Sequence, residues 1–203
     1  MKTATLFAAL ASVAFAAASQ AVIVGTTGVA LQIGNPPIAN FPPLTGTNAF
    51  CWNEQQNVLV SAGAFADLTV NPGNSGSPTP GLVVGIFDSH FIHWADFSGV
   101  NGTGTISFSG NIEAVMFNDI PLDLSDPTFG AIGTTYPTGQ ALRGLNAQSF
   151  LSISGNTLAF NFMPFPGAIE IEQVRVLTRP VPAPGAAALA CLGGLMLYRR
   201  RRA

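Results

Sequence analysis

The densest group of residues able to do chemistry lies in DSHFIHWAD, residues 88–96, which holds Asp88, His90, His93 and Asp96. Two imidazoles and two carboxylates are ligand types that zinc and other divalent ions accept. The β-branched and aromatic neighbours predict a strand. On a strand, Asp88, His90 and Asp96 share one face and His93 takes the other. The histidines then cannot share an ion, and structural or surface roles are expected for all four side chains. A second acidic group, Asp119, Asp123 and Asp126, lies in FNDIPLDLSDP. These carboxylates are candidates for calcium, but the stretch lacks the glycine and closing bidentate Glu of an EF-hand loop. It reads as an acidic turn region whose side chains cap strand ends. Neither a metal nor a cofactor is expected.

Nucleophile arrangements are missing from the pattern. No Gly-x-Ser-x-Gly elbow follows a strand and opens a helix, and Asn74-Ser75-Gly76 sits in a loop with no identifiable base. Cys51, beside Trp52, has no histidine near it in sequence and reads as a small packed thiol. A pair of the ten acidic residues converging as in a glycosidase remains open, since nothing selects the pair. Phosphate loops, haem signatures and dinucleotide fingerprints do not occur. For ligand binding the candidates are Trp52 and Tyr136, whose flat rings suit sugar stacking. Trp94, inside a strand, reads as core.

The elements that must position these residues are short β-branched or aromatic runs separated by Gly, Pro, Asn and Ser, with no helical stripe between Val22 and Thr178. Val22–Val24 and Val29–Ile33 read as a first pair of strands. Asn57–Ser61 and Phe65–Val70 follow, then Leu82–Phe87 and Phe91–Ala95 on either side of Asp88-Ser89-His90. NPGNSGSPTPG, residues 71–81, is a loop. Gly104–Ser109 and Ile112–Asn118 read as the clearest hairpin, turning at Ser109-Gly110-Asn111. Phe150–Ser154 and Thr157–Phe162 form another through Gly155-Asn156. In the last strand, Ala168–Thr178, Ile169 and Ile171 fall on one parity and Val174 and Val176 on the other. Facing all four to the core requires one slip near Gln173, by a β-bulge or a change of sheet. About ten strands in roughly 155 residues predict an all-β fold, an antiparallel two-sheet β-sandwich of jelly-roll type.

Both ends carry targeting patterns. Met1-Lys2 and the apolar run Ala4–Ala18 predict a signal peptide over residues 1–21, cleaved after Ala21 or Ala18. Residues 22–178 form the β-domain. Residues 179–203, RPVPAPGAAALACLGGLMLYRRRRA, open with Pro182-Ala183-Pro184, continue with 14 apolar residues from Gly185 to Tyr198, and end on Arg199, Arg200, Arg201 and Arg202. As a helix the apolar run is roughly 21 Å long, short of a bilayer core of about 30 Å. It spans only by thinning the membrane or snorkelling its arginines, which sit on the flank that the positive-inside rule assigns to the cytoplasm.

This order of parts resembles the PEP-CTERM sorting signal of exported Gram-negative bacterial proteins, in a variant with Ala183 where the acidic residue often lies. The central strands are also loosely similar to β-domains of such proteins, through the Ser-His-aromatic, Gly-Thr-Ile-Ser-Phe and Gln-Val-Arg-Val segments. The resemblance implies transient inner-membrane anchoring, recognition and cleavage by an exosortase-type membrane enzyme, and passage through export machinery to the cell surface or extracellular matrix. A permanent C-terminal anchor is the competing expectation for the same tail.

The net charge of −2 conceals an asymmetry. Five of the eight basic residues are Lys2 and Arg199–Arg202, inside the two signals. Between them, three arginines stand against ten carboxylates, leaving −7. A nucleic-acid partner is thereby excluded. Of the two cysteines, Cys191 lies in the tail, so no bridge to Cys51 is expected. The function expected is that of a non-enzymatic surface or matrix protein. The alternatives are a lectin-like carbohydrate-binding module, calcium-assisted, with extracellular polysaccharide as partner, and then an extracellular hydrolase.

Overall fold

A computed structural model describes residues 18–40, 42–96, 99–139, 143–164 and 171–182. Residues 1–17 of the expected signal peptide and the tail from Ala183 onward, including Pro184 and Arg199–Arg202, lie outside the described residues. Residues 20–181 form one compact unit.

Two sheets make up this unit. The first has the order β2 (Ile23–Gly28), β8 (Gly102–Phe108), β11 (Thr157–Phe162), β10 (Phe150–Ser154), β6 (Gly73–Asn74). The second runs β3 (Ala30–Gln32), β4 (Gly46–Asn53), β7 (Gly81–Ala95), β12 (Glu172–Thr178), β9 (Ile112–Met116), with β5 (Val58–Ala66) paired to the first half of β7. All strand pairs given a register are antiparallel except β3 with β4. The two-residue strands β1 (Ala18–Ser19) and β13 (Val181–Pro182) pair with each other. Strand therefore predominates among the described residues, beside one short helix, as the composition predicts.

The first sheet alternates cleanly. Ile106 and Phe108 on β8, Leu151 and Ile153 on β10, and Leu158, Phe160 and Phe162 on β11 are buried. The intervening positions carry hydroxyls that meet across strands, Thr27 with Thr105 at 2.7 Å and Ser107 with Thr157 at 3.1 Å. The buried residues form one cluster with Ala49, Cys51, Ile92, Trp94, Ile112, Val115, Val174 and Val176 of the second sheet. A second cluster, with Trp52, Phe87, Phe91, Met116 and Leu177, lies on the opposite face of the second sheet, together with Leu122 and Phe129. The central strands of that sheet are thus covered on both faces, and such strands lose the in–out alternation of half-buried ones.

This double burial corrects several expectations. All seven residues of β12 are buried, and its register with β7 runs unbroken from Glu172 opposite Trp94 to Thr178 opposite Asp88. No slip occurs at Gln173; the only register shift falls at Leu177/Thr178, against β9. The parity puzzle dissolves because Val174 and Val176 fill one cluster while Arg175 and Leu177 fill the other side. Ile169 lies outside the described residues. Ser109-Gly110-Asn111 does not close a hairpin, since β8 pairs in the first sheet and β9 in the second. Likewise β2 and β3 pair with different partners. Asp88-Ser89-His90 does not break β7, which runs 15 residues. The Phe150–Phe162 hairpin stands as expected, with Gly155 at φ +61°.

The acidic stretch is a helix rather than a turn. α1 spans Asp119–Phe129, with Asn118 at the N-cap and Asp119 in the first turn, where a carboxylate suits the helix dipole. Pro121 sits in the first turn, where its missing N–H costs nothing. Leu122, Ser125 and Phe129 share the buried face at i, i+3 and i+7. The serine in the middle of that stripe hides it from a hydropathy reading.

Candidate functional site

The site that the fold assembles is a buried charge network on the outer face of the second sheet, beneath α1 and the segment around Tyr136. Arg175 projects from the middle of β12 and is fully buried. Its Nε donates to Glu54 Oε2 at 2.7 Å and its Nη2 to Glu54 Oε1 at 2.8 Å. Nη2 also donates to Asp126 Oδ1 at 2.9 Å, and Nη1 to Ser125 Oγ. Glu54, just past β4, further accepts from Ser89 Oγ at 2.6 Å and from the Tyr136 hydroxyl. This is bidentate guanidinium–carboxylate pairing, the strongest side-chain arrangement available without a metal.

Arg143 forms the second half. Its Nη1 and Nη2 hold Asp126 at 2.7 and 2.9 Å, Nη1 reaches Asp123, and Nε donates to Gln173 Oε1 at 2.6 Å. Gln173 in turn donates to the Ala39 carbonyl at 2.7 Å and meets His93 Nδ1 at 3.0 Å. The backbone here is held closely: Gly144 has φ +112°, and a Cβ at that position would come within 2.6 Å of the Phe117 carbonyl. Only glycine allows that approach. The rings of Phe91 and Tyr136 lie against both guanidiniums, 5.0 and 5.3 Å from Arg175 and 6.0 and 5.8 Å from Arg143.

The electrostatics are self-consistent. Burial alone would lower the pKa of Arg175; the Glu54 carboxylate, with Asp126, more than reverses this and raises it. Burial and the charge of Glu54 raise the Tyr136 pKa, so its hydroxyl stays a donor. Asp119, at the helix start, is raised by desolvation and by Asp123, against the pull of Arg143. Asp123 and Asp126, read as calcium candidates, are ion-paired with Arg143. Among the described residues no group of three or more His, Cys, Asp or Glu is placed to hold a metal ion.

His90 and His93 point to opposite faces of β7. His90 meets Asn53 Oδ1 at 2.9 Å and Thr178 Oγ1 at 3.0 Å and packs on Phe108. A hydroxyl, an imidazole and an orienting amide in line have the layout of a nucleophile relay. Thr178 and His90 are both inaccessible, and desolvation lowers the His90 pKa to about 3. A base that weak, sealed from substrate, does no general-base chemistry near neutral pH. His93 meets the Leu44 carbonyl at 3.0 Å, and burial lowers its pKa to about 4. Asp88 accepts from the backbone N–H groups of Ala21 and Asn57. Cys51 is fully buried, and desolvation pushes its thiol up to about 12.

The expected aromatic platform does not form. Trp52 is fully buried, 5.1 Å from Phe91, and Tyr136 spends its hydroxyl on Glu54 and on the Ala131 N–H. Trp52 therefore presents no face to a ligand. Sequence reasoning missed Glu54, Arg143, Gln173 and Arg175. The one available signal was an arginine in the middle of an aliphatic strand, Val174-Arg175-Val176. Among the described residues no helix is long and apolar enough to cross a membrane. The chain matches no family model, and comparisons with curated proteins and with solved structures likewise find no match.

Proposed function

We propose that this chain is an exported, non-catalytic β-sandwich protein of the bacterial surface or extracellular matrix, delivered and cut through its C-terminal tail. The carrying observation is the fate of its reactive groups. Glu54, Arg143, Arg175, Asp126 and Tyr136 are engaged with one another, and His90, His93 and Cys51 are buried with depressed or elevated pKa values. Such groups hold elements together rather than meet substrate. The sandwich reading rests on the cluster shared by both sheets. The export reading rests on the signal-like N-terminus and the resemblance of residues 179–203 to a PEP-CTERM signal, with an exosortase-type enzyme as processing partner.

Mass spectrometry of surface material from the native host tests it. Mature chains should end near Pro182-Ala183-Pro184, with no peptide containing Cys191. A surface pool dominated by chains ending in Ala203 would make the tail a permanent anchor and overturn the sorting reading.

A second reading, carbohydrate binding, has one observation of its own. A groove of about 400 Å³ is lined by Ser75, Asn118, Gln148 and Phe150 among others, and Phe150 is 44% exposed. An exposed ring beside amides is the chemistry of sugar stacking. Glycan-array binding lost in Phe150→Ala but kept in Tyr136→Phe would favour it.

A further inference from the structure

The segment that enters the first sheet is held from Ala21 onward. Ala21 has no exposed surface, and its N–H donates to Asp88 Oδ2. Asp88 is itself fully buried, in the middle of β7. Among the described residues the other donor to its carboxylate is the Asn57 N–H, at 2.6 Å from Oδ1. Each carboxylate oxygen thus has one backbone donor. The Ala21 methyl faces Gly110, where an added Cβ would come within 3.0 Å of it. The next two residues are tied as firmly. The Val22 N–H donates to Ser109 Oγ and its carbonyl accepts from the Ser109 N–H, both at 2.9 Å. The Ile23 N–H donates to Asn53 Oδ1 at 3.1 Å, the oxygen that also meets His90 Nδ1.

Two bonds suit removal of a signal peptide: the one after Ala18, with Ala16 two residues before, and the one after Ala21, with Ser19 at the same spacing. Both satisfy the small-x-small pattern, so residue types leave a tie. The fold breaks it. A cut after Ala21 would take away its N–H and its methyl, stripping Asp88 Oδ2 of that donor in a site closed to water. A buried acceptor without its partner carries the full cost of desolvation, and more when it is charged. The same cut would place a new ammonium on Val22, beside Ser109. A cut after Ala18 spares every one of these bonds. Gln20 is exposed, so the terminus then formed has solvent beside it.

We infer that the signal peptide is removed between Ala18 and Ser19, and that residues 19–21 belong to the mature domain. That a signal is removed at all rests on the export reading above; Ala21 and Asp88 decide at which bond. A membrane signal peptidase adds water across the Ala18–Ser19 amide, which leaves a carboxylate on Ala18 and a free amine on Ser19. The enzyme acts on the chain as it emerges from the membrane, so the burial of Ala21 in the folded product does not hinder the cut. Burial decides instead which product folds with its bonds complete.

The test expresses the full chain in a Gram-negative host and sequences the N-terminus of the exported protein, which should begin at Ser19. A protein beginning at Val22 overturns the inference and leaves the signal reading standing. One that retains Met1 overturns both. Ala18→Asp puts a charge beside the proposed bond and should abolish the Ser19 product, whereas unchanged processing would show that another bond is cut. Hydrogen exchange on the exported protein reads the contact itself. The Ala21 amide should exchange at least a hundredfold more slowly than in an unfolded peptide of the same sequence. Equal rates would mean that Asp88 does not hold it, and the choice of Ala18 would lose its ground.

Discussion

Arg175 grips Glu54 through two hydrogen bonds, at 2.7 and 2.8 Å, with both side chains wholly removed from solvent. The pair joins the centre of β12 to the end of β4, 121 residues earlier in the chain, and through Asp126 it joins both to α1. A buried pair gains little over a well-packed apolar substitute, because desolvation offsets the attraction. Breaking it is another matter, since the remaining charge has no solvent to retreat to.

Arg175→Met should therefore destabilise the protein by about 3–5 kcal/mol, leaving Glu54 uncompensated. Glu54→Gln should cost a similar amount. The double variant Glu54→Gln/Arg175→Met should cost clearly less than the two single losses added together. Urea unfolding of all four proteins checks this, and strict additivity would mean that the pair does not act as a unit.

The buried histidines make stability depend on pH. Their folded pKa values, about 3 for His90 and about 4 for His93, lie below the usual histidine value of 6.5. Between those limits the unfolded chain binds more protons than the native one, so stability rises with pH. The contribution is full above about pH 6.5 and is lost progressively as pH falls toward 3–4. Each histidine adds up to about 1.4 kcal/mol per pH unit within that window. His90→Leu should flatten the urea midpoint plotted from pH 4 to 7 relative to the parent. An unchanged slope would mean that His90 titrates normally.

Cys51 should be inert in the native protein. Its thiol is fully buried and pushed up to about 12, so the reactive thiolate is scarce at pH 8. Iodoacetamide with peptide mapping should leave Cys51 unmodified in buffer and label it completely in urea. Rapid native labelling would show that the cluster around Ala49, Cys51 and Ile92 opens.

Trp52 and Tyr136 should separate by stability rather than by binding. Trp52→Ala empties the space against Phe91 and should cost about 3–5 kcal/mol. Tyr136→Phe removes one donor to Glu54 and should cost about 1–2 kcal/mol. Thermal melts rank the two. A Trp52→Ala protein as stable as the parent would contradict its burial.

Much of this architecture was legible in the sequence. Period-two patterning located β8, β10 and β11 of the first sheet because one face meets the core and the other meets water, as Ile106 and Phe108 against Thr105 and Ser107 show. β6, by contrast, forms inside residues 71–81, which read as a loop. Gly155-Asn156 marked its hairpin because a tight turn needs a residue at positive φ. The opposite faces of His90 and His93 followed from strand geometry alone.

What only the tertiary structure decided is which faces are covered, and by what. β12 is buried on both sides, so Arg175 and Gln173 sit inside, and beyond the aliphatic neighbours of Arg175 no local pattern distinguishes them from surface residues. α1 forms from a segment with two prolines and three acids because Leu122 and Phe129 pack on the second sheet and Arg143 and Arg175 neutralise Asp123 and Asp126. Those arginines lie 17 and 49 residues from Asp126. Sequence alone specifies strand periodicity and turn chemistry, which act between neighbours. The pairing of Glu54 with Arg175 and the crossing from β8 to β9 between sheets are long-range choices, set by which arrangement leaves no buried charge without its partner.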